Sequence, residues 1–213
     1  AQIDYLSKYI NVDKLAYLPL GIDTKSFSPS SEKVARDKNL VICVGNNRRD
    51  YKTLERIYRV LKKNRPNIQL KLAGSLQGKE NFLSYPEVEF LPFLPEKEFR
   101  ELYNRASILI LPLLEGGSSQ TLNEALSSGL PVITNAFPNL SDYINTSAVL
   151  SFPPKDFYSM ARACIDLLED ENKINVMSKN ARLHMLKYDN TIIKKELKII
   201  YENYLGLKIF EVS

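Results

Sequence analysis

The chain has 213 residues, of which 44% are apolar and 25% charged, a globular composition that excludes wholesale disorder and is long enough for a core without disulfides. Its net charge of +4 and pI near 8.9 suit a phosphate-bearing ligand or an anionic membrane surface. The basic residues are scattered among acids and carry no RNA- or DNA-binding motif, so nucleic acid is not expected as a partner.

The opening, AQIDYLSKYINVDK, lacks the basic and apolar blocks of a signal peptide. No apolar run approaches the about 18 residues that cross a bilayer. A soluble chain in the cytoplasm, at most at the inner face of the membrane, is expected. Residues 1–30 read as a connector. Residues 15–18 are a short strand candidate within it, and PLGIDTKSFSPSS is rich in turn formers. Regular order is expected from Leu40.

LVICVG (40–45) is a continuous apolar run of strand length, as in a parallel sheet covered on both faces. TLERIYRVLKK (53–63) sets Leu54, Ile57, Tyr58 and Leu61 on one helical face, and Pro66 stops it. Further strands are predicted at 68–74, 88–93, 108–113, 131–134 and 148–152. Helices are predicted at 96–106, 118–129 (closed by Gly129), 156–170, 172–187 and 190–205. The two cysteines, Cys43 in a strand pattern and Cys164 in a helical one, read as small buried hydrophobes of a reducing compartment.

This alternation predicts an α/β fold: a doubly wound, Rossmann-like parallel sheet of about six strands with C-terminal helices. Such sheets bind ligands beyond the carboxyl ends of their strands. The loops after Val44, Ala73, Leu91, Leu111 and Thr134 are therefore the candidate site. A dinucleotide turn is absent, because the first strand runs into GNNRRDY rather than G-x-G-x-x-G.

The densest constellation is LPLLEGGSSQTLNEALSSGLPVIT (111–134). Gly116 and Gly117 permit tight backbone and close ligand approach. Ser118 or Ser119 can cap the next helix. The free amides of Ser119, Gln120 and Thr121 then form an anion site, helped by the helix dipole. Glu124, one turn in, suits paired ribose hydroxyls; the alternative is a solvated helix acid. In GNNRRDYKTLE (45–55), Gly45 ends the strand and is followed by Asn46. Arg48, Arg49 and Lys52 put basic charge at the start of the next helix, where it would neutralise a phosphate-bearing ligand; the alternative is an exposed basic turn with Arg49 paired to Asp50. Gly74, in AGSLQG, allows ligand approach or is an ordinary turn. Phe93 and Leu94, in FLPFLPEKE, either wall a base or are loop aromatics and apolars. His184, the only histidine, lies in a C-terminal helix and reads as a surface or packing residue. No metal-ligand spacing is present.

On these segments the chain resembles the C-terminal domain of the large retaining GT-B glycosyltransferases (glycosyltransferase family 4), which include sucrose synthases and bacterial lipopolysaccharide mannosyltransferases. Those proteins carry Glu-x7-Glu within a stretch like EGFGLxxLEAxAxGxPVI. LNEALSSGLPVI matches its distal half, and LAYLPLGIDTKSFSP resembles the family's interdomain linker PNGVDxxxFxP. The resemblance implies a nucleoside diphosphate sugar as donor, with no cofactor and no metal. Glu115 would contact the sugar and Glu124 the ribose, the amides between them would hold the pyrophosphate, and backbone near Phe93 and Leu94 would pair with the base. Lys52 matches the family lysine. Two departures stand out. Eight residues rather than seven separate Glu115 from Glu124, and Asn46 occupies the usual arginine position, leaving Arg48 or Arg49 to substitute.

The resemblance further implies that residues 1–30 are linker or a remnant of an N-terminal acceptor domain and that 31–189 form the nucleotide-sugar-binding domain. Residues 190–213 would be a helix packing back toward that missing domain. Hexose transfer from a UDP- or GDP-sugar to a glycan or lipid-linked acceptor is expected of the full enzyme, with peripheral membrane association, and no transfer by this chain alone. The alternatives are a non-catalytic nucleotide-sugar module and a GT-B-type epimerase domain.

Overall fold

A computed structural model describes residues 2–30, 36–116, 119–141 and 147–205. Its centre is a six-stranded sheet of β1 (Asp37–Val44), β2 (Gln69–Ala73), β3 (Glu89–Leu91), β4 (Ala106–Leu111), β5 (Val132–Asn135) and β6 (Val149–Phe152). The spatial order is β3-β2-β1-β4-β5-β6, and every pairing is parallel. The expected doubly wound sheet is therefore present, and the chain reverses direction across it between β1 and β4. Val41 to Val44 of β1 and all of β4 are buried, as their unbroken apolar runs require of strands covered on both faces.

Around the sheet lie α1 (Gln2–Leu6), α2 (Tyr51–Asn64), α3 (Glu96–Arg105), α4 (Gln120–Ser127), α5 (Pro138–Ser141), α6 (Phe157–Glu169), α7 (Glu171–Met185) and α8 (Asn190–Leu205). The predicted face of α2, with Leu54, Ile57, Tyr58 and Leu61, is fully buried. Right-handed crossovers leaving β1 and β4 in opposite directions place α2 and α4 on opposite faces. Accordingly α2 packs with α6, and α4 with α7. Cys43 and Cys164 are buried thiols inside this core, and burial pushes the Cys43 thiol up to about 11.

One cation closes the end of the sheet away from the strand carboxyl termini. Arg36 Nη1 contacts the carbonyls of Tyr103, Asn104 and Ala106, and its Nη2 donates to those of Ser128 and Gly129. These carbonyls terminate α3 and α4, where backbone acceptors lack intrahelical donors and the helix dipole is negative. Burial lowers the guanidinium pKa to about 10, which still leaves it charged at neutral pH.

The chain entry differs from expectation. Residues 15–18 form no strand, and order begins before Leu40, since β1 starts at Asp37. The real extended contact is a single bridge between Ile22 and Asp189. Ile22 is buried. The Asp189 carboxylate accepts from the backbone and hydroxyl groups of Thr24 and Thr191, which holds its pKa far below the usual range. Arg182 donates to the carbonyls of Thr24, Phe27 and Ser127. Part of the expected connector is thus fixed to the junction between α7 and α8. Beyond Ile193, α8 exposes Leu197, Ile199, Tyr201 and Tyr204, and Tyr204 donates to the Leu15 carbonyl. Among the described residues, no helix is long and apolar enough to cross a membrane.

Candidate functional site

The carboxyl ends of the first three strands are laced together by two glycines. Gly45 N–H donates to Ala73 O and Gly74 N–H to Leu91 O, both at 2.8 Å. Gly45 has φ +84° and Gly74 φ +86°, a left-handed region that side chains other than glycine's enter at a cost. A Cβ on Gly45 would lie 2.6 Å from Arg49 Nη2 and 3.3 Å from Thr121 Oγ1. Behind them Tyr51 donates to Gly45 O at 3.2 Å, and Gly78 lies against its ring so closely that a Cβ would approach to 2.2 Å.

The loop after β1 pairs with the loop after β4, at the reversal point of the sheet. Asp50 N–H donates to Pro112 O, and Leu114 N–H to Arg48 O, both at 2.9 Å. Leu113 bridges Arg49, and its own N–H is held by Asn135 Oδ1 at 2.6 Å. Asp50 does not pair with Arg49. It caps α2 instead, accepting from the Thr53 backbone at 3.0 Å and the Thr53 hydroxyl at 2.7 Å. That leaves Arg49 to be fixed from three sides: Nε donates to Val44 O (2.8 Å), Nη1 to Asn47 O (2.7 Å) and Nη2 to Thr121 Oγ1 (3.1 Å). Arg48, at φ 60°, turns the other way. Its Nε pairs with Glu115 Oε1 at 2.8 Å, and its Nη1 donates to Gly116 O at 3.3 Å.

The helix expected at 118–129 starts later, at Gln120, and ends at Ser127. Ser119 is the cap, its hydroxyl accepting from Leu122 N–H at 3.3 Å. A serine with extended backbone can both end the loop and satisfy a first-turn donor. Gly117 and Ser118 lie outside the described residues.

A pocket of about 550 Å³ opens here, lined by Gly45, Asn46, Asn47, Arg48, Arg49, Leu113, Glu115, Ser119, Gln120 and Thr121. Eight of the sequence-predicted residues thus meet in one place, and Asn47 and Leu113 join them. Two guanidinium groups and a helix amino terminus face it beside one carboxylate, an arrangement chemically suited to an anion.

The other predicted residues lie around the pocket rather than on its wall. Lys52 is exposed on the first turn of α2. Gly74 backs Gly45. Glu124 is half-buried one turn deeper in α4, where its Oε2 accepts from Tyr103 Oη at 2.8 Å. Burial raises the Glu124 pKa, while hydrogen bonds from Tyr103 and Gln120 pull it back. Phe93 is 81% exposed. Leu94 is half-buried and lines a separate pocket beside Leu102 of α3. Tyr103 was not legible as a site residue, because its sequence signal is only that of the apolar face of α3. Among the described residues no group of histidines, cysteines and acids could hold a metal.

Solved structures share this architecture. Sucrose-phosphate synthase from Thermosynechococcus elongatus superposes with a TM-score of 0.78 at 22% identity, covering 96% of this chain and 56% of that one. The C-terminal domain of the glycosyl transferase group 1 protein LpcC from Francisella tularensis gives a TM-score of 0.67 at 16% identity over 80% of this chain and all of that domain. Anabaena HepE, solved with UDP and glucose, gives 0.76 at 14% identity, covering 97% of this chain and 61% of that one. The chain therefore spans little more than half of the longer relatives. Among curated proteins, no sequence matches it. The sequence pattern described as glycosyl transferases group 1 matches residues 25–184, a stretch containing both glycine turns, the paired loops and the whole pocket, and the chain belongs to that family.

Proposed function

We propose that this chain is the donor half of a retaining glycosyltransferase that moves a hexose from a nucleoside diphosphate sugar to a glycan or lipid-linked acceptor. The observation that supports this best is the pocket: Arg48, Arg49 and the α4 amino terminus converge on one polar cavity at the point where the sheet reverses. Its size and charge fit a diphosphate. In the transfer, the bond between the anomeric carbon and the β-phosphate oxygen breaks, a bond from that carbon to an acceptor oxygen forms as the acceptor's proton leaves, and negative charge builds on the departing diphosphate. Arg49, the amides of Gln120 and Thr121, and Arg48 or Lys52 would stabilise that charge, which is electrostatic catalysis by groups already in place. Glu115 would accept from hexose hydroxyls and Glu124 from the ribose. The acceptor, and any group that activates it, belongs to a partner half outside this chain. Glu115 faces the Arg48 loop rather than away from it, which favours a transferase over a non-catalytic binding module.

The test is a thermal-shift panel of UDP, GDP and ADP with their sugars. A ligand at one hundred times its Kd adds about 2.7 kcal/mol, which for a chain of this size raises the melting temperature by roughly 5–10 °C. Glu124→Ala is expected to abolish most of that rise. No shift with any nucleotide would remove the proposal.

Gly45→Ala separates fold from site. The new methyl group costs about 1 kcal/mol for its left-handed backbone and displaces the Arg49 guanidinium. The expected result is a melting temperature only a few degrees lower but nucleotide affinity reduced about tenfold, equivalent to about 1.4 kcal/mol, by isothermal titration. Unchanged affinity would mean that Arg49 is not part of the binding surface.

A further inference from the structure

The half-buried carboxylate behind the pocket has a partner that nothing in the donor chemistry demands. Tyr103 of α3 is 0% exposed. Its ring is wedged edge-on between Phe99, at 5.1 Å, and Phe27, at 6.1 Å, and its backbone carbonyl is held by Arg36 at 2.8 Å. With ring and main chain both fixed, the hydroxyl has one place to point, and it donates to Glu124 Oε2 at 2.8 Å. The phenol cannot serve as an acid or base near neutral pH, because burial and the neighbouring carboxylate push its pKa well above the ordinary value. It is a permanent donor.

A buried tyrosine hydroxyl needs an acceptor, and a backbone carbonyl would satisfy it at less cost than a half-buried carboxylate. An ionised carboxylate has about four lone-pair directions on two oxygens. Tyr103 takes one of those directions, on Oε2. Gln120, the first residue of α4 and part of the pocket wall, also bonds to Glu124, so the carboxylate is linked to the pocket on one side and to the core on the other.

From this geometry we infer that Tyr103 is a positioning residue for donor binding, holding one Glu124 oxygen so that the remaining acceptor directions meet the vicinal hydroxyls of a ribose. This rests on the donor-site proposal above. The hydrogen bond also opposes the rise that burial gives the Glu124 pKa, which favours the ionised form, the stronger acceptor of hydroxyl hydrogen bonds. Removing it should lift the Glu124 pKa further, so that ribose binding is lost at a higher pH on acidification than in the wild type.

The experiment uses UDP, GDP and ADP, each beside its 2′,3′-dideoxy counterpart, titrated calorimetrically into the wild type, Tyr103→Phe and Glu124→Ala between pH 5 and 8. In the wild type, the best ribonucleotide is expected to bind about tenfold or more tightly than its dideoxy form, since each charge-assisted hydrogen bond contributes about 1.5–3 kcal/mol. Tyr103→Phe should shrink that preference to about threefold while leaving dideoxynucleotide affinity unchanged, and should move the acid limb of ribonucleotide binding to higher pH. A merely structural tyrosine would weaken both nucleotide forms equally or neither, and either result overturns the inference. If Glu124→Ala loses the preference and Tyr103→Phe keeps it, the donor site stands and the positioning role falls. If no nucleotide binds the wild type, both fall. A second measurement needs no variant. In wild-type chain labelled with ¹³C at glutamate carboxyls, ribonucleotide but not dideoxynucleotide should shift the Glu124 resonance, with the Tyr103 hydroxyl proton still protected from exchange. Loss of that protection on binding overturns the role.

Discussion

Replacing Arg36 by methionine is expected to lower the melting temperature by on the order of 10 °C. The side chain does not line the pocket around Arg49, yet it collects carbonyls from Tyr103, Asn104, Ala106, Ser128 and Gly129. Methionine fills much of the volume but donates nothing, so the helix ends of α3 and α4 keep buried acceptors without donors. A buried acceptor left without its donor costs about 1–3 kcal/mol, and this change strands several at once. Arg36→Lys should fall between the two, because an ammonium carries three donors in place of a planar fork of five. Calorimetric unfolding of the three proteins checks the order. A methionine variant within 2 °C of the wild type would show that solvent or rearrangement satisfies those carbonyls.

Arg36 also marks a limit of sequence reading. It stands in SSEKVARDKNL, where a basic residue among polar neighbours looks like surface, and only the tertiary placement of two helix ends gives it a role. By contrast, the sheet was legible almost throughout. The runs at Leu40, Ile108 and Val132 carry no alternation, and such strands must be buried on both faces, whereas the run from Ile68 alternates and leaves Gln69 exposed. The helices at 53–63 and 156–170 announced themselves by apolar spacing, and the latter by its aspartate cap, which Asp156 supplies by accepting from Ser159 N–H. Residues 15–18 misled because four mostly apolar residues look strand-like in isolation, whereas a strand needs a neighbour with free donors, and only Ile22 finds one.

The pocket was legible for a different reason. Gly45, Ser119 and the amides that follow it are backbone devices with strong local signatures, and the doubly wound order dictates that the loops after β1 and β4 meet. Pairings between loops were not legible. Asp50 could have matched Arg49 or capped α2, and the cap won because it satisfies both the backbone and the hydroxyl of Thr53. The same choice frees Arg49 for Thr121, and sends Arg48, with its positive φ, to Glu115.

The choice made by Asp50 leads to the strongest functional expectation: Arg49→Met should weaken nucleoside diphosphate binding by about 30- to 300-fold, equivalent to about 2–3.5 kcal/mol, with little change in folding. Three of its five donors are committed to Val44 O, Asn47 O and Thr121 Oγ1. Those bonds hold the guanidinium on the pocket wall before any ligand arrives, so its remaining donors meet a diphosphate without further ordering. Charge-assisted bonds of this kind are about twice as strong as neutral ones, and the positive end of α4 faces the same cavity. Arg49→Lys should restore little, since a point charge cannot satisfy three fixed acceptors and a ligand together. Thr121→Val gives an internal control: it releases one of the three restraints while keeping the charge, so its loss should be smaller, about three- to tenfold. Calorimetric titration with UDP, GDP, ADP and inorganic pyrophosphate reads all three variants. If, as proposed, Arg49 acts on the diphosphate alone, its loss should reduce pyrophosphate and nucleotide affinity by the same factor, whereas Glu124→Ala should spare pyrophosphate. Equal effects of Glu124→Ala on both ligands, or an Arg49→Met protein that binds within twofold of the wild type, would mean the phosphates rest elsewhere.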